Sequence, residues 1–172
     1  MTHYYTKTGD KGETGVTGQR LRKTDARISA IGDVDETNAA LGVALAHVED
    51  VDVRSAILHA QNLLFTVGAE LSGNAKVVMK AEHVEALEKS IEFFGAKIKP
   101  QTTFLLPNGT KSASFLHLAR AVCRRAERSV VALQEQKLVN AELVRYLNRL
   151  SSLLYVLARY ENRTVKEQAP VY

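Results

Sequence analysis

Apolar residues recur at helical spacing along most of this chain. Ile28, Ile31, Val34, Leu41, Leu45 and Val48 form one stripe and predict a first helix over about 25–49. Ile57, Leu58, Leu64, Phe65 and Val67 mark a second helix within 53–71, which Gly73 and Asn74 stop. A third, over about 80–96, carries Val84, Leu87, Ile91 and Phe94, with Gly95 near its end. The break KIKPQTTFLLPNGTKS then holds two of the three prolines together with Asn108 and Gly109. Ser112 or Thr110 is a candidate cap for a fourth helix reaching about Gln136, and Asn140 for a fifth reaching about Thr164. The closing KEQAPVY reads as a frayed tail.

No segment alternates convincingly with the period of a strand; YYTKT and FLLP are short extended candidates. Five long helices on short connections predict an all-α, up-and-down five-helix bundle. It forms a single domain, with an N-terminal glycine-rich segment over 1–24, the bundle over 25–164 and the tail over 165–172. No helical repeat of fixed period is present.

The N-terminal segment TKTGDKGETGVTG places Gly9, Gly12, Gly15 and Gly18 three residues apart. Without proline this is not collagen, and neither a Walker A loop nor a GxGxxG turn is present. Two readings remain. One is a cradle in which glycines let the backbone approach a phosphate chain while Lys7, Lys11 and several hydroxyls supply charge and hydrogen bonds. The other is a flexible arm of the same composition.

Composition narrows the class. With 45% hydrophobic and 24% charged residues, the chain of 172 residues is neither disordered nor a membrane protein. Its net charge of +4 suits a phosphorylated small molecule as well as a nucleic acid. Cys123 is the sole cysteine, so an intramolecular disulfide or a thiolate cluster is excluded and a reducing compartment is the natural setting. The N-terminus lacks an apolar signal region and no run approaches a membrane span, so a cytoplasmic protein is expected.

The fourth helix, SASFLHLARAVCRRAERSVVAL, is the most informative. Phe115, Leu118, Ala119, Val122, Ala126, Val130 and Leu133 predict its core stripe, with His117, Arg120, Arg124, Glu127 and Arg128 opposite. Arg120, Arg124 and Arg128 stand one helical turn apart, with Glu127 among them, and like charges at that spacing cost a few tenths of a kcal/mol each unless something answers them. A solvated face with local Arg–Glu pairs is one answer. An anion or a neighbouring subunit is the sharper one, because arginine's planar fork favours bidentate contact with phosphate or carboxylate. Asp33, Asp35 and Glu36 on the first helix are acids able to answer the row, and Asn38 in the apolar stripe needs a partner. On the fifth helix Leu143, Leu147, Leu150, Leu154 and Leu157 form a seam, while Arg145, Asn148, Ser152 and Arg159 share another face. The chain has no HExxH or ExxH pattern, and His47, His59, His83 and His117 read as packing or surface residues.

In this order the segments YTKTGDKGETG, GDVDETN, FLLPNG, LHLARAVCRRAER and RYLNRLSSLLYVLARYEN resemble the PduO-type ATP:cob(I)alamin adenosyltransferases, over nearly the whole chain. The resemblance implies a five-helix bundle assembling as a homotrimer, with ATP between neighbouring subunits. It implies that Thr6, Lys7, Thr8 and Gly9, with Glu13, Thr14 and Lys23, wrap the nucleotide. Arg124, Arg125, Ala126, Glu127 and Arg128 would supply the helix-four part of the ATP site, and Asn148 a helix-five part near the Mg2+-bound triphosphate, with no metal ligand set in the protein itself. Asp35 and Arg120 match an acid and an arginine that pair across the subunit interface, and Phe104 an aromatic that helps displace cobalamin's lower ligand. PNG stands where a second glycine is common, and Asn108 also tolerates left-handed geometry.

The implied reaction is attack by the cobalt of cob(I)alamin on the 5′ carbon of ATP, forming adenosylcobalamin and releasing triphosphate. An adenosylcobalamin-dependent client enzyme is an additional possible partner. The alternative is a non-enzymatic bundle that senses ATP or another polyanion with the same arm and row. Nucleic-acid binding would need stacking aromatics along a basic stripe, and aromatics are only 6% of the chain.

Overall fold

The computed structural model describes residues 4–171, so positions 1–3 of the N-terminal segment and 172 of the tail lie outside the described residues. Two short strands, β1 (Glu13–Val16) and β2 (Gln19–Arg22), precede five helices: α1 (Ala26–Leu45), α2 (Val51–Leu71), α3 (Ala81–Gly95), α4 (Lys111–Glu135) and α5 (Ala141–Glu161). The expectation of an all-α chain therefore needs one correction, because part of the glycine-rich segment is an antiparallel hairpin. Glu13 pairs with Arg22 and Val16 with Gln19 around the two-residue turn Thr17-Gly18. Gly18 takes a φ of 76° there, a conformation that a β-carbon would strain. Thr17 fixes the hairpin to the end of α2, donating its N–H to the Ser72 carbonyl at 3.0 Å.

Side-chain caps set the helix starts. Asp25, Asp50, Thr110 and Asn140 each accept a hydrogen bond from a backbone N–H of the following turn, and each such cap contributes about 1 kcal/mol. Ser112, the other candidate cap of α4, instead donates its hydroxyl to Glu161 at 2.6 Å. In the bundle α1 packs against α2 and α4, α4 against α5, and α3 against α5. All five leucines of the expected α5 seam are buried. Asn38 finds its partner on α2: its amide donates to the Gln61 carbonyl at 3.3 Å, and the Gln61 amide returns a bond to the Asn38 carbonyl at 3.1 Å.

The stripe on α4 is wider than expected and rotated. Leu116 and Cys123 join the core, whereas Leu118 is exposed. His117, expected beside the arginines, is only 6% exposed. The cause is that α4 buries one side against α1 and another against α5, so its buried arc exceeds a single stripe. On α2 the expected stripe residues Leu58 and Phe65 point outward. Arg159 also departs from its expected open face and is buried. It binds Glu167, so the segment after α5 is docked rather than frayed. Burial pushes the Cys123 thiol up to about 12, which leaves it a packing group that donates to the Leu147 carbonyl.

Of the PNG turn, only Gly109 adopts a positive φ, at 122°. A β-carbon there would collide with the Asn162 amide, so Gly109→Ala is expected to lower stability by about 2 kcal/mol in urea unfolding. His117 generates a second expectation. Burial, and secondarily the Arg120 charge, hold its imidazole below the usual 6.5, with Glu167 opposing. The unfolded chain therefore takes up a proton before the folded one does, and the contribution of this group, full above about 6.5, declines as pH falls from there. Thermal melts should show the Tm gap between the wild type and His117→Gln narrowing as pH is lowered from about 7.5 to about 5.5.

Candidate functional site

The exposed face of α4 presents a row of positive charge that the chain does not neutralise. Arg124 and Arg128 are exposed and Arg120 half-buried. Among the described residues none of the three has a carboxylate within 4.0 Å. Arg128 donates one N–H to the Arg124 carbonyl at 3.0 Å. Arg120 has its guanidinium 5.9 Å from the centre of the Tyr155 ring, and its buried Nε lacks a partner among the described residues. Glu127 accepts a bond from the Asn148 amide of α5 at 2.8 Å, which fixes both groups beside the row.

The acids expected to answer the row lie elsewhere. Asp33 and Glu36 both pair with Arg125, and Asp33 also accepts from Ser129. One position on a helix is about 100°, which turns Arg125 towards α1 and leaves its neighbour Arg124 facing out. Asp35 is exposed and makes no hydrogen bond or ion pair among the described residues. Ala126 is fully buried, so its side chain belongs to the core.

A second group of the expected residues gathers around the hairpin. Lys7 takes a left-handed conformation, with a φ of 58°, and the Thr6 and Thr8 hydroxyls lie 2.9 Å apart. Arg20, which the sequence reading passed over, holds this loop: it donates to the Thr8 carbonyl at 2.6 Å and pairs with Glu13 at 3.6 Å. The Lys23 ammonium lies 3.3 Å from where a β-carbon of Gly9 would stand. The Lys23 amine, two hydroxyls and bare backbone thus share one small surface, a combination suited to an anion. The only sign of Arg20 in the sequence was its cross-strand register with Gly15, invisible without the hairpin.

Between the hairpin, α1 and α2 runs a groove of about 540 Å³. Thr14 and Asp35 line it with Ile31, Gly32, Phe65 and Gly68, and Phe65 is 71% exposed. Phe104, on the segment linking α3 to α4, is 77% exposed. No hydrogen bond or ion pair among the described residues joins the loop at Thr6–Gly9 to the row on α4. Nor do the described residues bring together three metal-ligating side chains. No helix among them is long and apolar enough to cross a membrane.

Comparison with known proteins gives this arrangement a family. The sequence profile of the family described as "Cobalamin adenosyltransferase" matches residues 4–161. The chain is 44% identical over 160 residues to a cobalamin adenosyltransferase of Cupriavidus metallidurans, covering 92% of this chain and 87% of that protein. It is 38% identical over 169 residues to a corrinoid adenosyltransferase of Bacillus subtilis, covering 92% and 86%. A variant of the PduO-type ATP:corrinoid adenosyltransferase of Lactobacillus reuteri, solved in complex with cobalamin and ATP, superposes with a TM-score of 0.89 at 32% identity, over 99% of this chain and 96% of that one. With a profile match over most of its length and a superposition that takes in all five helices, the chain belongs to the cobalamin adenosyltransferase family.

Proposed function

We propose a route by which this chain carries out the reaction of its family, transfer of the 5′-deoxyadenosyl group of ATP to the cobalt of cob(I)alamin. The observation that carries it is the uncompensated row Arg120, Arg124 and Arg128, with Glu127 engaged by Asn148 rather than by an arginine. Cob(I)alamin supplies an electron pair from cobalt to the 5′ carbon. The bond from that carbon to its bridging oxygen breaks, and the electron pair departs with the triphosphate. A leaving group that gains charge as it departs is stabilised by cations already fixed in place, and fixed groups need no reorganisation at the moment of reaction. Arg124 and Arg128 face the phosphates in this reading, Arg125 borders them from its pair with the α1 acids, and Glu127 and Asn148 mark the end of the site.

Magnesium fits the same surface. This ion keeps few protein ligands and prefers substrate phosphates and water, in accord with a face that offers the Glu127 and Asn148 oxygens. Held there by the phosphates with Glu127 and Asn148, it would add to the neutralisation of the leaving group.

The second half of the nucleotide site is the Thr6–Gly9 loop with Glu13, Thr14 and Lys23, supplied by a neighbouring copy in a homotrimer. Its support is the lack of any bond between this loop and the row within one chain, together with the open groove that holds Thr14 and Asp35. In such an assembly Asp35 faces a neighbour's Arg120, giving each the partner it lacks alone. Phe104 stands at the corrinoid and takes the space below the cobalt, where the lower ligand would otherwise bind.

Two outcomes test the reading. Arg124→Ala should reduce kcat for adenosylcobalamin formation by about a hundredfold while moving Tm by about 2 °C or less; equal losses of stability and activity would return the row to a structural role. A shared site also predicts complementation. A variant with Lys7→Ala and Lys23→Ala and a variant with Arg124→Ala, each with about a hundredth of wild-type activity or less alone, should reach about a quarter of it when unfolded and refolded together at equal amounts, because one site in four then draws both halves from intact copies. No recovery from a mixture that forms mixed oligomers would place both halves within one chain.

A further inference from the structure

The chain after α5 works as a strap across the irregular segment 96–110. Arg159, in the last turn of α5, is 8% exposed. Its Nε and Nη2 donate to both oxygens of Glu167, at 3.0–3.3 Å. The same Nη2 donates to the Lys99 carbonyl at 2.9 Å, so a single guanidinium joins the strap to the start of the segment. The next residue continues the contact. Leu106 donates its N–H to the Gln168 carbonyl at 2.8 Å, and the Asn108 amide donates to the Gln168 side chain at 3.1 Å. Asn162 closes the far end: its oxygen accepts from the Thr110 N–H at 3.0 Å and its amide donates to the Asn108 carbonyl at 2.8 Å. Tyr155 donates its hydroxyl to Gln101.

Phe104 projects, largely exposed, from the stretch between these fastened points. The stretch 99–110 contains no helix or strand. Its conformation is therefore set by what grips it, and most of the grip comes from α5 and the residues that follow it. A large exposed aromatic has no packing of its own to hold it. A bidentate arginine–carboxylate pair is directional, and a buried guanidinium such as that of Arg159 is costly to leave without its carboxylate.

We propose that Arg159 and Glu167 are positioning residues for adenosyl transfer: the pair of a buried guanidinium and a half-buried carboxylate straps residues 162–168 over the α3–α4 segment and thereby sets Phe104 in place at the corrinoid. The proposal rests on the reading of Phe104 given above. Neither residue touches substrate. Their effect belongs to the corrinoid side of the reaction and leaves the nucleotide side alone, which separates it from a general role in stability.

The test uses the full chain with Glu167→Gln, Asn108→Ala and Phe104→Ala, singly and with Phe104→Ala added to each of the other two. Glu167→Gln and Asn108→Ala should each lower kcat/KM for cob(I)alamin by about tenfold with KM for ATP within about twofold. Glu167→Asp, which keeps the carboxylate, should recover part of the loss. The absorption and EPR spectra of cob(II)alamin bound with ATP, which read whether the lower ligand is on the metal, should shift towards the ligated form in both strap variants. Added to Phe104→Ala, neither change should cause a further loss. Because Asn108→Ala leaves the Arg159–Glu167 pair whole, it carries the test if Glu167→Gln fails to fold. Unchanged corrinoid kinetics in the strap variants, or losses that multiply with that of Phe104→Ala, would overturn the proposal. A Phe104→Ala enzyme with normal corrinoid kinetics and spectra would overturn it differently, by removing the residue that the strap is said to place.

Discussion

Three guanidiniums one helical turn apart repel one another, and the chain leaves that repulsion standing. Acids are within reach of the same helix: Asp33 and Glu36 both go to Arg125, one position from Arg124. Glu127, the carboxylate among the row, is tied to Asn148. Each like-charge pair at this spacing costs only a few tenths of a kcal/mol, small against the stability of a domain. The cost is easily carried, and the return is a surface with a standing demand for negative charge. A nucleotide triphosphate meets that demand better than a carboxylate side chain, since it offers many oxygens to forks that favour bidentate contact.

The bundle makes this charge a fixed one. On its buried side α4 carries Ala113, Ala119, Ala126 and Cys123, small residues that let it lie close to its neighbours. Packed between α1 and α5, it can neither rotate nor slide without opening core contacts. Cations held by such a helix are already placed before substrate arrives. The Thr6–Gly9 loop is built on the opposite principle. A short polar contact from Arg20 to the Thr8 carbonyl holds it, the Lys23 N–H ties the adjoining Gly12 carbonyl to the hairpin, and its residues are mostly exposed. One half of the proposed site thus draws its geometry from packing, and the other from a hairpin.

What could be read from the sequence was what depends on local rules. All five helices were legible from apolar spacing, their boundaries from caps such as Asn140, and the core of α5 from its leucines. The hairpin was not, because glycine at every third position removes the alternation by which a strand is recognised. Arg125 and Arg124 differ by one residue and so look alike in a sequence, yet the first meets α1 and the second faces outward. That distinction follows from which helices flank α4, a tertiary fact. The docked tail was hidden for a similar reason. KEQAPVY lacks periodicity, and what docks it is Glu167 reaching Arg159, eight residues back, and Gln168 meeting a loop some sixty residues earlier. The proposed site residues were legible only through resemblance. Spacing alone left the arm and the row as two unrelated features.

Their relation is itself a physical argument. Among its described residues a single chain leaves unfinished the charge row on α4, the apolar groove that bears Phe65, and an acid, Asp35, without a cation. Local packing satisfied comparable problems elsewhere in the fold: Asn38 found Gln61, Arg159 found Glu167, and each helix start found a side-chain acceptor, at α3 the His83 ring. A sequence that meets its polar requirements almost throughout its interior, with the His117 Nδ1 the exception outside the row among the described residues, does not leave a charge row and an acid open on its surface by default. On the reading proposed above they are the same opening seen from two neighbouring copies, one bringing the loop and the acid, the other the arginines. Assembly would then cover the groove and pair Asp35 with Arg120, leaving Arg124 and Arg128 as the charge that only the nucleotide can answer.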